Sequence, residues 1–174
     1  MNTDTERNNV SRFESIMIPH LDAAYNLARW LTRHADEADE AVQEAYLRAF
    51  RYFDSFSGGD GRVWLLAIVR NCCLSSYRRQ KDNEVLFDEQ SHSEKSCQST
   101  PESAVLKQAA SHALRGCIDA LPREYRETLI MRELEEFSYK QIADVTALPI
   151  GTVMSRLSRA RKRLQECLAA KGER

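Results

Sequence analysis

The chain has 174 residues, of which 43% are hydrophobic and 29% are charged, and its formal net charge is −1. These values indicate an ordinary soluble protein with one domain or two small ones. The longest uncharged apolar run, residues 63–69, is too short for a membrane span, and residues 1–9 lack the apolar core of a secretory signal. The five cysteines show no metal-ligand spacing, and their odd number favours a reducing compartment, so a cytoplasmic location without metal or cofactor is expected.

Residues 10–81 are predicted to form an N-terminal domain of three helices, because apolar residues recur with a period near 3.6 and no stretch alternates as a strand would. Ser11 and Glu14 form a capping box that predicts the start of the first helix, whose apolar residues continue to Leu31. The second helix is expected to start near Asp36 and to bury Val42, Tyr46, Ala49, Phe50 and Phe53. The third runs from about Arg62 to Arg79, and its apolar stripe makes Trp64 a core residue.

Residues 82–100 are predicted to be a flexible linker, since five acids and five Ser or Thr surround only one small apolar cluster. Order is expected to resume at Thr100 and Pro101, which suit the start of a helix. Residues 101–170 would then form a C-terminal domain with a helix to about Ala120, another to about Glu136 and two short ones. The predicted fold class is all-α, with two small helical domains and a helix-turn-helix in the second.

The helix-turn-helix lies between Ser138 and Leu164, where a short helix (139–145), a turn (146–149) and a helix from Ile150 follow one another. Val153 and Leu157 mark the buried stripe of the last helix. The opposite side carries small, hydroxyl and basic residues, and residues 150–165 contain no acid. Two packed helices without a DNA role would give a similar pattern, but a merely solvated face would mix acids with bases. Such a helix suits a major groove.

Charge is segregated along the chain more strongly than the net value suggests. Residues 35–47 hold five acids and no base, whereas residues 62–81 hold five bases and no acid. From residue 138 onward, eight bases face three acids. Each block alone could be a solvated helix face, but together they indicate one basic protein partner and one nucleic-acid partner.

The C-terminal segment resembles a known family. Leu121-Pro122, the run from Tyr139 to Ala143 and the run from Pro149 to Arg161 are similar to the minus-thirty-five-reading domain of extracytoplasmic-function sigma factors. The resemblance implies DNA contacts by Gly151, Thr152, Met154, Ser155, Arg156, Ser158, Arg159 and Lys162. In this family the position of Met154 is commonly Lys or Arg.

The N-terminal half carries two further resemblances to the same family. Residues 36–50 resemble the helix that docks on the clamp of core RNA polymerase, which implies roles for Asp39, Glu40, Gln43 and Glu44. Residues 56–71 resemble the promoter-melting segment, whose glycine-rich loop and Asn71 would receive a base flipped from the minus-ten element. The implied minus-ten contacts are Ser57, Gly58, Gly59, Asp60, Arg62, Asn71, Arg78 and Arg79.

The resemblance therefore implies a sigma factor with core polymerase, promoter DNA and an anti-sigma factor as partners, and with no membrane span. The alternative is a stand-alone helix-turn-helix activator or repressor, which would leave the acidic helix and the melting segment without a role. An enzyme is not expected, because the four histidines are scattered and no nucleophile-base arrangement or phosphate-binding loop is present. A metal or redox role for Cys72, Cys73 or residues 92–97 is weighed as a minor alternative to buried cysteines and a disordered linker.

Overall fold

The computed structural model describes residues 3–84 and 102–172; for residues 3–6, 79–84, 102–110 and 172 it describes the backbone only. These ranges contain helices and no strand, which confirms the all-α prediction. Two single-turn 3-10 helices, Ile18–His20 and Phe53–Ser55, join α-helices in the first range. The α-helices are α1 (Thr3–Met17), α2 (Leu21–Thr32), α3 (Ala35–Arg51), α4 (Gly61–Glu84), α5 (Glu102–Asp119), α6 (Arg123–Glu133), α7 (Tyr139–Thr146) and α8 (Ile150–Gly172).

The start of the first helix differs from the prediction. Ser11 lies inside α1, which begins at Thr3, so the proposed capping box does not start a helix. The apolar pattern that continues to Leu31 is divided by Pro19, which sits in a 3-10 turn between α1 and α2. Proline lacks the amide hydrogen that a continuous helix needs, so the chain changes direction there.

The N-terminal core lies between α1, α2, α3 and α4. Small residues allow α3 to approach its neighbours closely: Ala38, Ala41, Ala45 and Ala49 are all buried. Phe50 was predicted to be buried and is instead 50% exposed, although the edge of its ring packs on Phe13 at a centroid distance of 5.2 Å. The buried stripe of α3 is therefore narrower than the distribution of apolar residues along this helix predicts.

The two ends of the predicted linker behave differently. At its start, α4 continues to Glu84, three residues past the expected end of the N-terminal domain at residue 81. Residues 85–101, with the rest of the predicted linker and the Thr100-Pro101 helix start, lie outside the described residues.

The two described ranges pack against each other, and α6 lies at the centre of this contact. Its residues from Tyr125 to Met131 are all buried, including the charged Arg126 and Glu127. Arg33 of α2's end donates to the Asp119 carbonyl at 2.5 Å, and Arg115 lies over the Trp30 ring at 5.1 Å. These contacts hold α5 against α2, beside the packing of α6.

Arg126 is an unusual member of this contact because it is only 3% exposed. One of its terminal nitrogens donates to the Asp119 carbonyl at 3.0 Å, but its Nε has no partner among the described residues. Burial, with a contribution from the nearby Arg33, lowers the pKa of Arg126 to about 10. The two ranges therefore meet over a buried cation with an unsatisfied donor.

Four of the five cysteines lie in the described residues. Cys117 of α5 and Cys167 of α8 form a disulfide with a Cα–Cα distance of 5.7 Å, which the sequence analysis did not anticipate. Cys72 and Cys73 on α4 are buried, as expected for small apolar side chains. No helix within residues 3–84 and 102–172 combines the length and the apolar character needed to cross a membrane.

Candidate nucleic-acid interface

The helix-turn-helix is built from α7, a left-handed turn and α8. The Ser138 hydroxyl accepts from the Gln141 backbone at 3.2 Å, and the Gln141 side chain accepts from the Ser138 backbone at 2.8 Å, which forms a reciprocal capping box. Ala147 ends α7 with a positive φ of 54°. The Pro149 carbonyl then accepts from Thr152 at 2.9 Å and begins α8. The turn therefore sets the angle between the two helices through backbone bonds.

One face of α8 is fully buried and the opposite face is open. Val153, Leu157 and Ala160 are at most 1% exposed and pack on the domain core, as predicted. Across the helix, six of the residues implied in minus-thirty-five contacts are exposed; these are Gly151, Met154, Ser155, Ser158, Arg159 and Lys162. Thr152 is half-buried at the edge. The open face therefore presents hydroxyls, backbone and cations along one side.

The cations of α8 are not equally available. Among the described residues Arg159 has no ion-pair partner, and Lys162 has only a 4.0 Å contact with Glu166. Arg161 is bound to Glu133 at 2.7 Å, and this hydrogen bond raises its pKa above the usual value. Arg156, with 22% of its side chain exposed, lies 3.6 Å from Glu127, whose side chain is 3% exposed. Arg159 is consequently a free cation on the open face, whereas Arg156 is partly engaged elsewhere.

The glycine-rich loop before α4 takes a conformation that needs glycine. Gly58 and Gly59 have φ values of 90° and 110°, and a Cβ at either would meet open space, so backbone geometry rather than crowding requires them. Asp60 then caps α4, since one of its carboxylate oxygens accepts from the Arg62 and Val63 amides at 3.0 and 3.2 Å. Ser57 is exposed beside the loop. The loop therefore offers backbone groups at the surface.

Several of the implied minus-ten residues are held by the other half of the molecule. The second oxygen of Asp60 accepts from the Gln141 side chain of α7 at 2.8 Å. Arg62 donates to the Glu135 carbonyl at 2.9 Å, forms an ion pair with the Glu135 carboxylate and lies 4.9 Å over the Phe137 ring. The capped start of α4 is thus tied to the segment between α6 and α7.

A second tie lies further along α4. Arg70 makes two hydrogen bonds to the Glu127 carboxylate, at 3.0 and 3.1 Å, and both side chains are largely buried. The same carboxylate faces Arg156 of α8 at 3.6 Å. Glu127 therefore links a basic residue of the melting segment to one of the recognition helix.

The remaining implied minus-ten residues lie beyond this tie on α4. Asn71 and Arg78 are exposed, and the Asn71 carbonyl accepts from Ser75 at 2.9 Å. The side chain of Arg79 lies outside the described residues. Asn71 lies ten residues after Gly61, roughly 15 Å along α4, so about three helical turns separate it from the glycine loop.

A groove of about 510 Å³ lies where the glycine loop meets α7. Its first wall contains Phe56, Gly58 and Trp64, and its second contains Lys140, Gln141 and Asp144. Trp64 is half-buried, with its ring 5.2 Å from Phe56, so it belongs to the apolar stripe as predicted and also reaches the groove. The groove exists only because the two halves are in contact.

The acidic helix α3 presents a separate surface. Asp39, Glu40 and Gln43 are exposed, and Glu44 is half-exposed and bound to Arg48 at 2.6 Å. Leu47, one turn after Gln43 on the same side, is 64% exposed.

Sequence reasoning missed Glu127 and Glu135, the two buried acids that hold Arg70 and Arg62. The run 123–136 is rich in charge and resembles a solvated helix. A usable signal was the position of its apolar residues, since Tyr125, Leu129, Ile130 and Met131 are spread around the helix and leave no consistently solvated side.

Comparison with known proteins assigns both halves. Residues 17–83 match the family model described as Sigma-70 region 2, and residues 111–164 match Sigma-70, region 4. The chain is 31% identical to the RNA polymerase sigma-H factor of Pseudomonas aeruginosa over 173 residues, which cover 94% of this chain and 89% of that protein. It is 37% identical to the ECF RNA polymerase sigma factor EcfG of Rhodopseudomonas palustris over 144 residues, covering 82% of this chain and 77% of the relative.

A solved structure is also similar over nearly the whole chain. The sigma factor RpoE from Bartonella quintana, crystallised in complex with the anti-sigma factor NepR, aligns with a TM-score of 0.73 and 28% identity. The alignment covers 91% of this chain and 97% of that one.

Proposed function

Because the chain belongs to the extracytoplasmic-function sigma factors of the sigma-70 family, we propose that it directs core RNA polymerase to promoters through three separate surfaces. The observation that carries the assignment of roles is the open face of α8, where Arg159 stands free between exposed serines and opposite the buried Leu157. Family membership and this geometry support the same conclusion. The chemistry of RNA synthesis belongs to the polymerase.

The face of α8 would read the minus-thirty-five element. An arginine at the centre of such a helix can donate two hydrogen bonds to the edge of a guanine, while hydroxyls and edge cations hold phosphates. Arg159 would contact a base edge and Lys162 would contact the phosphate backbone. Arg156 would join them only when its contact with Glu127 loosens.

The glycine loop and the first turns of α4 would act on the minus-ten element. Extruding a base from the stack costs a few kcal/mol, which a polar pocket and neighbouring cations must offset. Gly58 and Gly59 leave space for a base to approach the backbone, and Asn71 is an exposed amide on the same helix. Because Asp60 and Arg62 are engaged by Gln141 and Glu135, this step requires the two halves to separate.

The acidic face of α3 would dock on core polymerase. Asp39, Glu40 and Gln43 are exposed there, and Leu47 adds an apolar contact. Complementary charge would speed association and set its orientation, while the apolar side chain would slow dissociation.

An anti-sigma factor is the proposed inhibitor, since the similar RpoE was crystallised with one. A protein inserted at the groove between the glycine loop and α7 would keep Asp60 and Arg62 from DNA. The compartment proposed is the one in which transcription occurs, the bacterial cytoplasm.

Transcription reconstituted with purified core polymerase tests the function. Wild-type protein should support promoter-specific transcripts, and it should not bind promoter DNA tightly on its own. Glu40→Lys should lose assembly with core while keeping its helical content, because Glu40 is exposed and off the buried stripe. The matched control is Asp54→Lys, an exposed acid outside α3. Wild-type assembly by Glu40→Lys would refute the docking assignment, and tight promoter binding without polymerase would favour a stand-alone regulator.

A further inference from the structure

Cys117 and Cys167 lie at the point where α5 and the end of α8 approach each other. Cys117, in the last turn of α5, is completely buried, and Cys167 is half-buried. Their Cα atoms are 5.7 Å apart, within the span that a disulfide needs, and the sulfurs are bonded. The proposed function leaves this pair without a role.

The surroundings of Cys167 differ from those of Cys73. Lys171 follows Cys167 by one helical turn, and its ammonium lies 2.8 Å from the position that a Cβ on Gly116, the neighbour of Cys117, would take. A cation near a thiol favours the reactive thiolate. Cys73 is 1% exposed and burial raises its pKa to about 12, whereas Cys167 is half-buried.

We propose that Cys117 and Cys167 are a site of reversible oxidation by a hydroperoxide. The Cys167 thiolate attacks the O–O bond of hydrogen peroxide, which gives a sulfenic acid and a hydroxide that takes up the released proton to form water. The Cys117 sulfur then attacks the Cys167 sulfur, the S–O bond breaks, and a second water leaves as the disulfide forms. Two thiols and one peroxide give one disulfide and two waters, and a dithiol reductant restores the thiols.

The inference rests on the proposed function in one respect only, the compartment. A sigma factor works where thiols are kept reduced, so a disulfide there is a state that the protein enters under oxidant rather than a permanent cross-link.

The position of the pair determines what oxidation changes. The cross-link spans 50 residues and encloses α6, α7 and the reading face of α8, so it restricts the unfolded chain. Arg159 precedes Cys167 by eight residues, roughly 12 Å along the helix, and its face is not touched by the bond. Oxidation therefore stabilises the helix-turn-helix and leaves its DNA contacts intact.

The experiment uses the full chain with Cys97→Ser, which removes the one cysteine outside the described residues. Reduced protein is treated with one equivalent of hydrogen peroxide and digested with trypsin without reductant. We expect mass spectrometry to find residues 116–123 linked to residues 164–171. The thermal midpoint should rise by roughly 5–10 °C and return with dithiothreitol.

The matched variant is Cys167→Ser in the same background, which should show neither the linked peptide nor the shift. Persistence of the shift in that variant, free thiols after peroxide, or linkage through Cys72 or Cys73 would overturn the proposal. Promoter affinity of the holoenzyme should agree within twofold between oxidised and reduced protein, and a larger loss would contradict the claim about the reading face. These readouts do not depend on transcription, so a failed oxidation leaves the proposed function standing, and failed transcription leaves the thiol result unaffected.

Discussion

The two proposed DNA surfaces of this chain differ in their availability rather than in their chemistry. Both carry arginine and small polar residues on the side of a helix. On α8, Arg159 is open to solvent and has no ion-pair partner among the described residues, whereas Arg62 and Arg70 of α4 are held by Glu135 and Glu127. A basic block in the sequence is therefore available to DNA only where no acid elsewhere in the fold pairs with it.

The largest expected effect comes from removing Glu127, the acid that contacts both Arg70 of α4 and Arg156 of α8. Glu127→Ala should leave the largely buried Arg70 without its partner, and breaking a buried pair in this way costs about 3 kcal/mol of unfolding free energy. Urea denaturation of the full chain measures it. The control is Glu133→Ala, whose bond to Arg161 is half-exposed and worth at most about 1 kcal/mol. Equal, small losses in the two variants would mean that the α4–α6 tie contributes little.

The next effect concerns the open surface. Arg159→Ala should cost on the order of 1–3 kcal/mol at the preferred promoter and relax discrimination at one base position. Holoenzyme affinity for single-base promoter variants at several salt concentrations measures both quantities.

Arg163→Ala serves as its control, because Arg163 lies at the edge of the face and 5.2 Å over the Tyr125 ring. That variant should weaken all sequences alike and lower the salt slope by about one unit. If Arg159→Ala lowers the affinity for all promoter variants equally, with base preferences unchanged, then Arg159 contacts the DNA backbone and not a base.

A smaller effect is expected at the proposed minus-ten surface on α4. Asn71→Ala should leave promoter capture unchanged and reduce strand opening about tenfold, because a base pocket matters only once a base leaves the stack. Permanganate footprinting at saturating protein separates the two steps. Arg78→Ala, an exposed cation on the same helix, should instead weaken capture. Normal opening by Asn71→Ala would locate the pocket elsewhere.

The smallest effect tests the edge of the open surface. Met154 is 50% exposed where the family commonly has a cation, so Met154→Lys should strengthen promoter binding by roughly 0.5 kcal/mol and raise the salt slope by about one unit. Met154→Gln provides a polar control of similar length without charge. If the lysine variant binds no better at low salt, this edge does not face phosphate.

The sequence predicted elements well where local rules decide them. The buried stripe of α8 and the turn at Pro149 follow from helical period and proline geometry, and both are confirmed. The predicted helix start at Ser11 and the predicted burial of Phe50 were wrong, because neither the length of a polar helix nor the width of a buried stripe is set by neighbouring residues alone.

The contact between the halves could not be predicted in the same way. Glu127 and Arg70 are 57 positions apart and meet only through the packing of α6 on α4. The disulfide between Cys117 and Cys167 has the same character, since each cysteine alone carries no pairing signal. The roles of the DNA and polymerase contacts remain predictions for the experiments above.

The buried guanidinium of Arg126 weakens the packing of the two described ranges against each other. A donor shut away from water without a partner raises the free energy of the state that encloses it, on the order of 1–3 kcal/mol. When α6 moves away from α2, water reaches that nitrogen and the penalty disappears. A partner that binds the separated arrangement better then needs a smaller difference in affinity to shift the population. The reason is that the penalty already reduces the free-energy difference between the packed and the separated arrangement. The unsatisfied Nε of Arg126 thus slightly destabilises the packed arrangement of the two halves.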